Sequence, residues 1–106
     1  TTVGPMLRCF SSPNYFATLP PGHVFPMEKF PASARLVTER RLGRVIDPGP
    51  VAEFELLRVH TPAYVDSIRT GRYNDLTALR LGLPWHPTIW TRSRHATAGT
   101  IAAARA

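Results

Sequence analysis

MLRCF, Met6–Phe10, carries a single charge, on Arg8, among otherwise apolar residues. It reads as a short strand, apolar enough to be buried on both faces. A second run of this kind, RVID at Arg44–Asp47, is stopped by Pro48-Gly49-Pro50. A helix is expected between the two. Pro31 suits its first turn, Ala34, Leu36 and Val37 give an apolar stripe, and Gly43 stands where a C-cap is expected. Strand, helix, strand is an α/β layout with parallel strands. Two strands cannot make a stable sheet with both faces covered, and no internal repeat supplies more of them.

Outward from this unit the chain alternates loops and helices. Ser11 to Met27 holds four prolines, one glycine and three aromatic residues, so it is expected to be a long loop. Its Tyr15, Phe16, Val24 and Phe25 argue that the loop is packed. Pro50 opens an expected helix over Val51 to Val59, with Phe54, Leu56 and Leu57 facing inward. Thr61 reads as an N-cap with Pro62 at the first helical position, and that helix should end at Gly71. Asp75 is placed to cap a short helix through Leu81. A last helix is expected to begin near Thr88 or Thr91, with Ala96, Gly99, Ala102 and Ala103 as a small-residue face.

The 106 residues allow one domain, residues 1–106, and 43% of them are hydrophobic, which argues against disorder. No apolar run approaches the ~20 residues of a membrane span. The first residues have neither a basic nor an apolar leader region. Cys9 is the only cysteine, so no disulfide can form within the chain, which points to a reducing, cytoplasmic setting. The formal charge is +6, and Lys29 is the only lysine among thirteen basic residues. The arginines are scattered apart from Arg40-Arg41 and Arg92-x-Arg94, with no aromatic residues interleaved as a base-stacking platform requires. This speaks against nucleic acid as the partner.

No self-contained chemistry stands out. The histidines His23, His60, His86 and His95 show no i, i+4 pair, and there is no Cys-x-x-Cys. No phosphate-cradling glycine loop is present, and the seven carboxylates make no evident acid–base pair. Cys9 falls in the first strand, where a buried thiol is inert.

Three segments nevertheless stand in a familiar order. GHVFPMEKF (Gly22–Phe30), ELLRVHTPAYVDSIRTGRY (Glu55–Tyr73) and LGLPWHPTIWTRSRHATAGTIAAARA (Leu81–Ala106) resemble the amino-terminal part of the histone deacetylase superfamily, in its bacterial and class-IV-like branch. The resemblance covers nearly the whole chain. His60-Thr61-Pro62-Ala63-Tyr64-Val65 is similar to a family helix start, and Thr97–Ala104 to the family's Gly-Gly-Thr helix.

The resemblance implies the first portion of an arginase/deacetylase-like three-layer α/β/α fold around a parallel sheet. It implies amide hydrolysis of an acylated amine by a zinc-bound water, with a histidine as general base. The Gly-Gly-x-His-His loop and the Asp, His and Asp zinc ligands of the family would follow Ala106. The chain is therefore expected to hold no catalytic residue and no metal ligand of its own, and to be silent by itself. Its expected share is rim: a first loop, Tyr15 to Lys29, and a second, Asn74 to Pro87. His23 matches a loop histidine lining the pocket. Lys29 stands where many members carry an arginine beneath the metal, and it reads equally well as a solvated lysine at a helix start. Pro84 and Trp85 fall where class I members place a substrate-binding Asp, absent here. His60 reads as a structural hydrogen-bonder. The partner expected to cover the last helix is the rest of the chain or a second copy. The alternative is an autonomous small basic α/β domain binding nucleic acid or a protein.

Overall fold

Gly43 comes so close to the preceding strand that a Cβ there would stand 2.6 Å from the Leu7 carbonyl oxygen and 3.0 Å from Cys9 Sγ. That bare approach lets the chain pair as it returns. Strand β1 (Arg8–Phe10) and strand β2 (Arg44–Ile46) lie parallel, with Arg8 beside Arg44, Cys9 beside Val45 and Phe10 beside Ile46. The computed structural model describes residues 7–73, 82 and 84–106. The expected helix at Asp75–Leu81 and most of the second rim loop lie outside the described residues, as does Met6.

Helix α1 (Lys29–Glu39) links the strands, with Pro31 in its first turn as expected. Gly43 does not cap it. The Leu42 amide donates to the Val37 carbonyl at 3.0 Å and the Arg41 amide to Thr38 at 3.2 Å, and Arg41 takes the left-handed conformation at φ 53°. This is the two-bond closure usually built around glycine. Here arginine occupies the turn, and glycine is used two residues later for strand approach.

Helix α2 is a single turn, Glu53–Leu56, shorter than the pattern suggested. Phe54 and Leu57 are exposed, at 62% and 43%, contrary to the inward reading, while Leu56 is half-buried. Helix α3 (Pro62–Thr70) follows its sequence signals closely. Thr61 Oγ1 accepts from the Tyr64 amide, Pro62 opens the first turn, and Gly71 closes the end at φ 75°. Helix α4 (Pro87–Arg105) begins one residue before Thr88, the earlier of the two expected starts, and the His86 side chain caps it by accepting from the Thr88 amide.

The two long helices cover opposite faces of the sheet. Cys9 and Val45 share a hollow with Ala34 and Val37 of α1. Arg8 shares one with Ala96, Thr100 and Ala103 of α4. Ala17, Met27, Ile68 and Ile89 form the buried cluster, with Phe25, Phe30, Tyr73 and Trp90 packed around it. This is mixed α/β architecture on a two-stranded parallel sheet. The loop after β1 is packed only in part: Tyr15 and Phe25 are half-buried, but Phe16 is exposed and Val24 is 94% exposed. Among the described residues no helix is long and apolar enough to cross a membrane.

Candidate functional site at the carboxyl ends of the strands

Parallel α/β sheets place their sites where the strands end and the loops begin. Ser12, two residues past β1, donates through Oγ to Asp47 Oδ2 at 2.9 Å, one residue past β2. The other Asp47 oxygen accepts from the Gly49 amide at 2.9 Å. Ser12 Oγ in turn accepts from the Asn14 amide, opening a single 3-10 turn over Pro13–Tyr15. The strand ends are thus tied together, and Tyr15 is aimed across the sheet toward α4.

Tyr15 reaches α4 at Gly99, which leaves the space its hydroxyl occupies. The Tyr15 ring meets Phe30 edge-on at 6.3 Å. Burial pushes the Tyr15 hydroxyl above its ordinary pKa, and the Asp47 carboxylate adds to the rise. The proton therefore stays on the phenol at neutral pH. Arg92 Nε donates to the Tyr15 carbonyl at 3.0 Å, and its guanidinium lies 5.0 Å from the Phe30 ring and 5.9 Å from Phe25. Desolvation lowers the Arg92 pKa.

Lys29, the first residue of α1, is exposed, with Nζ 4.9 Å from the Phe25 ring and 5.2 Å from Phe30. The lysine is a solvated one at a helix start. A cation there faces the positive end of the helix dipole, a cost of about 0.3–1 kcal/mol, and the two aromatic faces offset it. Lys29 and Arg92 therefore share one aromatic pair.

His23 joins the two loop segments. Its Nδ1 accepts from the Phe25 amide at 3.1 Å, so the neutral ring carries its proton on Nε2 and donates to the Gly82 carbonyl at 3.1 Å. The Thr18 amide donates to Thr88 Oγ1 at 2.8 Å, a second tie between the loop and α4. Trp85 is an anchor: its Nε1 donates to the Ile68 carbonyl at 2.7 Å, and its ring lies over Gly71, where a Cβ would meet it at 2.5 Å. Pro84 is exposed beside it. The structure brings Tyr15 and Lys29 together around Phe30. His23 bridges to Gly82, and Trp85 packs against the end of α3, apart from the Tyr15–Arg92 group. His60 lies outside all of these, its ring 5.1 Å from that of Tyr64.

Sequence reasoning missed Arg92, Asn14 and His95. His95 is buried; its Nδ1 donates to the Thr91 carbonyl at 2.7 Å, and Asn14 Nδ2 donates to its Nε2 at 3.3 Å. Arg92, Ala96, Gly99 and Ala103 recur at helical spacing, and all four line one cavity of about 320 Å³. That spacing was the available signal. Among the described residues no three His, Cys, Asp or Glu side chains gather as a metal would require.

No protein-family model matches the chain. It is similar to an uncharacterized protein of Picosynechococcus sp. (strain ATCC 27264 / PCC 7002 / PR-6), at 33% identity over 99 residues, 88% of this chain. The chain spans 32% of that relative's length.

Proposed function

We propose that this chain is the amino-terminal part of a cytoplasmic, zinc-dependent deacetylase-like amidohydrolase of the arginase/deacetylase three-layer α/β/α fold. It removes acyl groups from an amine such as acetyl-lysine or an acetylpolyamine. The supporting observation is the convergence of the loop 11–28 and the segment at Gly82 to Thr88 at the carboxyl ends of two parallel strands, held by the His23–Gly82 and Thr18–Thr88 bonds. Of these, Gly22–Glu28 and Gly82–Thr88 fall within segments that carry the family resemblance, while residues 11–21 stand outside them. The covering of opposite sheet faces by α1 and α4 fits the same reading. Parallel crossovers are right-handed, and α4 lies against β1, so a following strand would add at the outer edge of β1.

The described residues do not fit a zinc site, since no three ligand-type side chains gather among them. In this reading the metal ligands and the general base belong to the remainder of the longer chain, as the greater length of the Picosynechococcus protein allows. The residues present here shape the rim: His23 fixes the approach of the two loops, and Tyr15 and Phe30 wall the space beside α4.

The test is made on the protein in its full encoded length. Release of free amine from an acetyl-lysine peptide and from an acetylated polyamine is followed with and without a chelator. Hydrolysis that stops on chelation and returns with zinc is expected. Pro84 and Trp85 stand in place of a substrate-binding Asp, so the peptide should show no KM advantage over the polyamine. Absence of hydrolysis toward both substrates, or hydrolysis indifferent to chelation, overturns the reading.

A further inference from the structure

The amino ends of the two strands, where Arg8 reaches the cavity beside α4, carry a charge arrangement to which the proposed chemistry assigns no role. Arg8 and Arg44 open the two strands in register with each other, so their side chains leave the same face of the sheet. Adjacent strands lie about 4.8 Å apart, and like charges directly opposite destabilise the pairing. Both residues are exposed, as are Arg40 and Arg41 in the turn that leads into β2. That turn is pressed against the first strand where Gly43 meets Leu7.

Two observations indicate that these arginines are not incidental. The ion pairs among the described residues are Arg58–Glu55 and Arg69–Asp66, neither of which involves this group. Arg41 also holds the left-handed conformation at φ 53°, where glycine is free of strain and any other side chain costs roughly 1–2 kcal/mol. The cost falls on a residue that brings a further exposed positive charge to the turn before β2.

We propose that Arg8, Arg40, Arg41 and Arg44 form a docking surface for an acidic segment of a partner protein, one with closely spaced Asp or Glu side chains. Guanidinium forks bind carboxylates bidentately, and a carboxylate between Arg8 and Arg44 converts their repulsion into a shared ion pair. A nucleic-acid partner fits less well. Among the described residues none of the four guanidinia is placed over an aromatic ring, in contrast to Arg92 and Arg94, so no base-stacking platform is seen there. The cluster also occupies one end of a short sheet, not a track along which phosphates repeat. Arg8 also lines the far end of the cavity that Tyr15 and Phe30 wall, but the inference needs no deacetylase chemistry, since it rests on the charges at the amino ends of the strands.

The experiment uses the full-length protein and fluorescence anisotropy with a labelled Glu-rich peptide, a Lys-rich peptide, and single-stranded and duplex DNA. The Glu-rich peptide is expected to bind with an affinity that falls as salt rises. The R8Q/R44Q variant should weaken it by about tenfold or more, whereas R58Q/R69Q, which alters arginines already paired, should change it by less than about twofold. R41G separates folding from binding: it should raise the melting temperature by releasing strain while it weakens the peptide. Absence of peptide binding, equal binding by R8Q/R44Q, or tighter binding to DNA that the same substitutions abolish, overturns the proposal.

Discussion

Gly99 and Tyr15 fit only as a pair. The tyrosine hydroxyl fills the space that a Cβ on Gly99 would take, and that glycine lies buried on α4. Glycine in a helix interior sacrifices about 0.5–1 kcal/mol relative to alanine, so Gly99→Ala would stabilise an unobstructed helix. Here the added methyl displaces Tyr15 and with it the turn tied to Asp47. Gly99→Ala is expected to destabilise by about 1–3 kcal/mol in urea unfolding. The same change in a Tyr15→Phe background should cost clearly less, because the obstructing oxygen is gone; equal costs in both backgrounds would show that the two residues are uncoupled. Tyr15 also sets an alkaline limit. Its folded pKa lies above the ordinary value of 10.0, so its contribution is complete below that value and is lost as pH rises through the folded pKa. Melting temperatures should fall above about pH 10, and Tyr15→Phe should shallow that fall.

Helix ends account for how the elements are placed. Thr61 Oγ1 satisfies the Tyr64 amide, with Pro62 and Gly71 marking the two limits of α3. An isolated nine-residue helix is marginal in water, so its cap and its buried Val65 and Ile68 hold it together. Thr61→Ala is expected to cost about 1 kcal/mol, read as a lower urea midpoint with an unchanged slope. Thr100 offers a control within α4, since its hydroxyl only donates back to the Ala96 carbonyl and is exposed. Thr100→Ala should leave the midpoint within about 0.5 kcal/mol of the parent. The cap of α4 was harder to foresee because histidine is not among the preferred N-cap residues, yet His86 Nδ1 supplies the required acceptor. At the end of α1 arginine similarly takes the place expected of glycine.

The chain as a whole is thin and open. It measures 58 × 35 × 17 Å with a radius of gyration of 16.0 Å, against about 13 Å for a compact domain of 100 residues. Among the described residues Met27 is the one large side chain sealed almost completely, and Leu7, Leu42, Phe54 and Val59 are all more than half exposed. Each strand pairs on one side only among the described residues, leaving outer edges that invite pairing with further chain. Residues 1–106 produced alone are expected to unfold gradually, with a urea slope below about 1 kcal/mol/M and far-UV and fluorescence transitions that do not coincide. A single steep transition seen by both probes would establish an autonomous domain instead.

Local structure was legible in the residues wherever one side chain's chemistry was decisive. Pro62 and Gly71 fixed α3, the prolines of the loop 11–28 kept it irregular, and the apolar runs around Cys9 and Val45 made the parallel strands. These signals act over a few residues, through φ restriction, capping or burial. Tertiary structure alone decided what meets across the chain. Tyr15 finds Gly99, Asn14 finds His95, and Lys29 and Arg92 converge on one aromatic pair, because α4 folds back over the face of β1. It also decided that Arg8 and Arg44 stand side by side: the strand pattern places each on its own strand, but the register between strands depends on the close approach of Gly43 to Leu7. A strand's period says which residues share a face. Only the packed backbone says which neighbour each one meets.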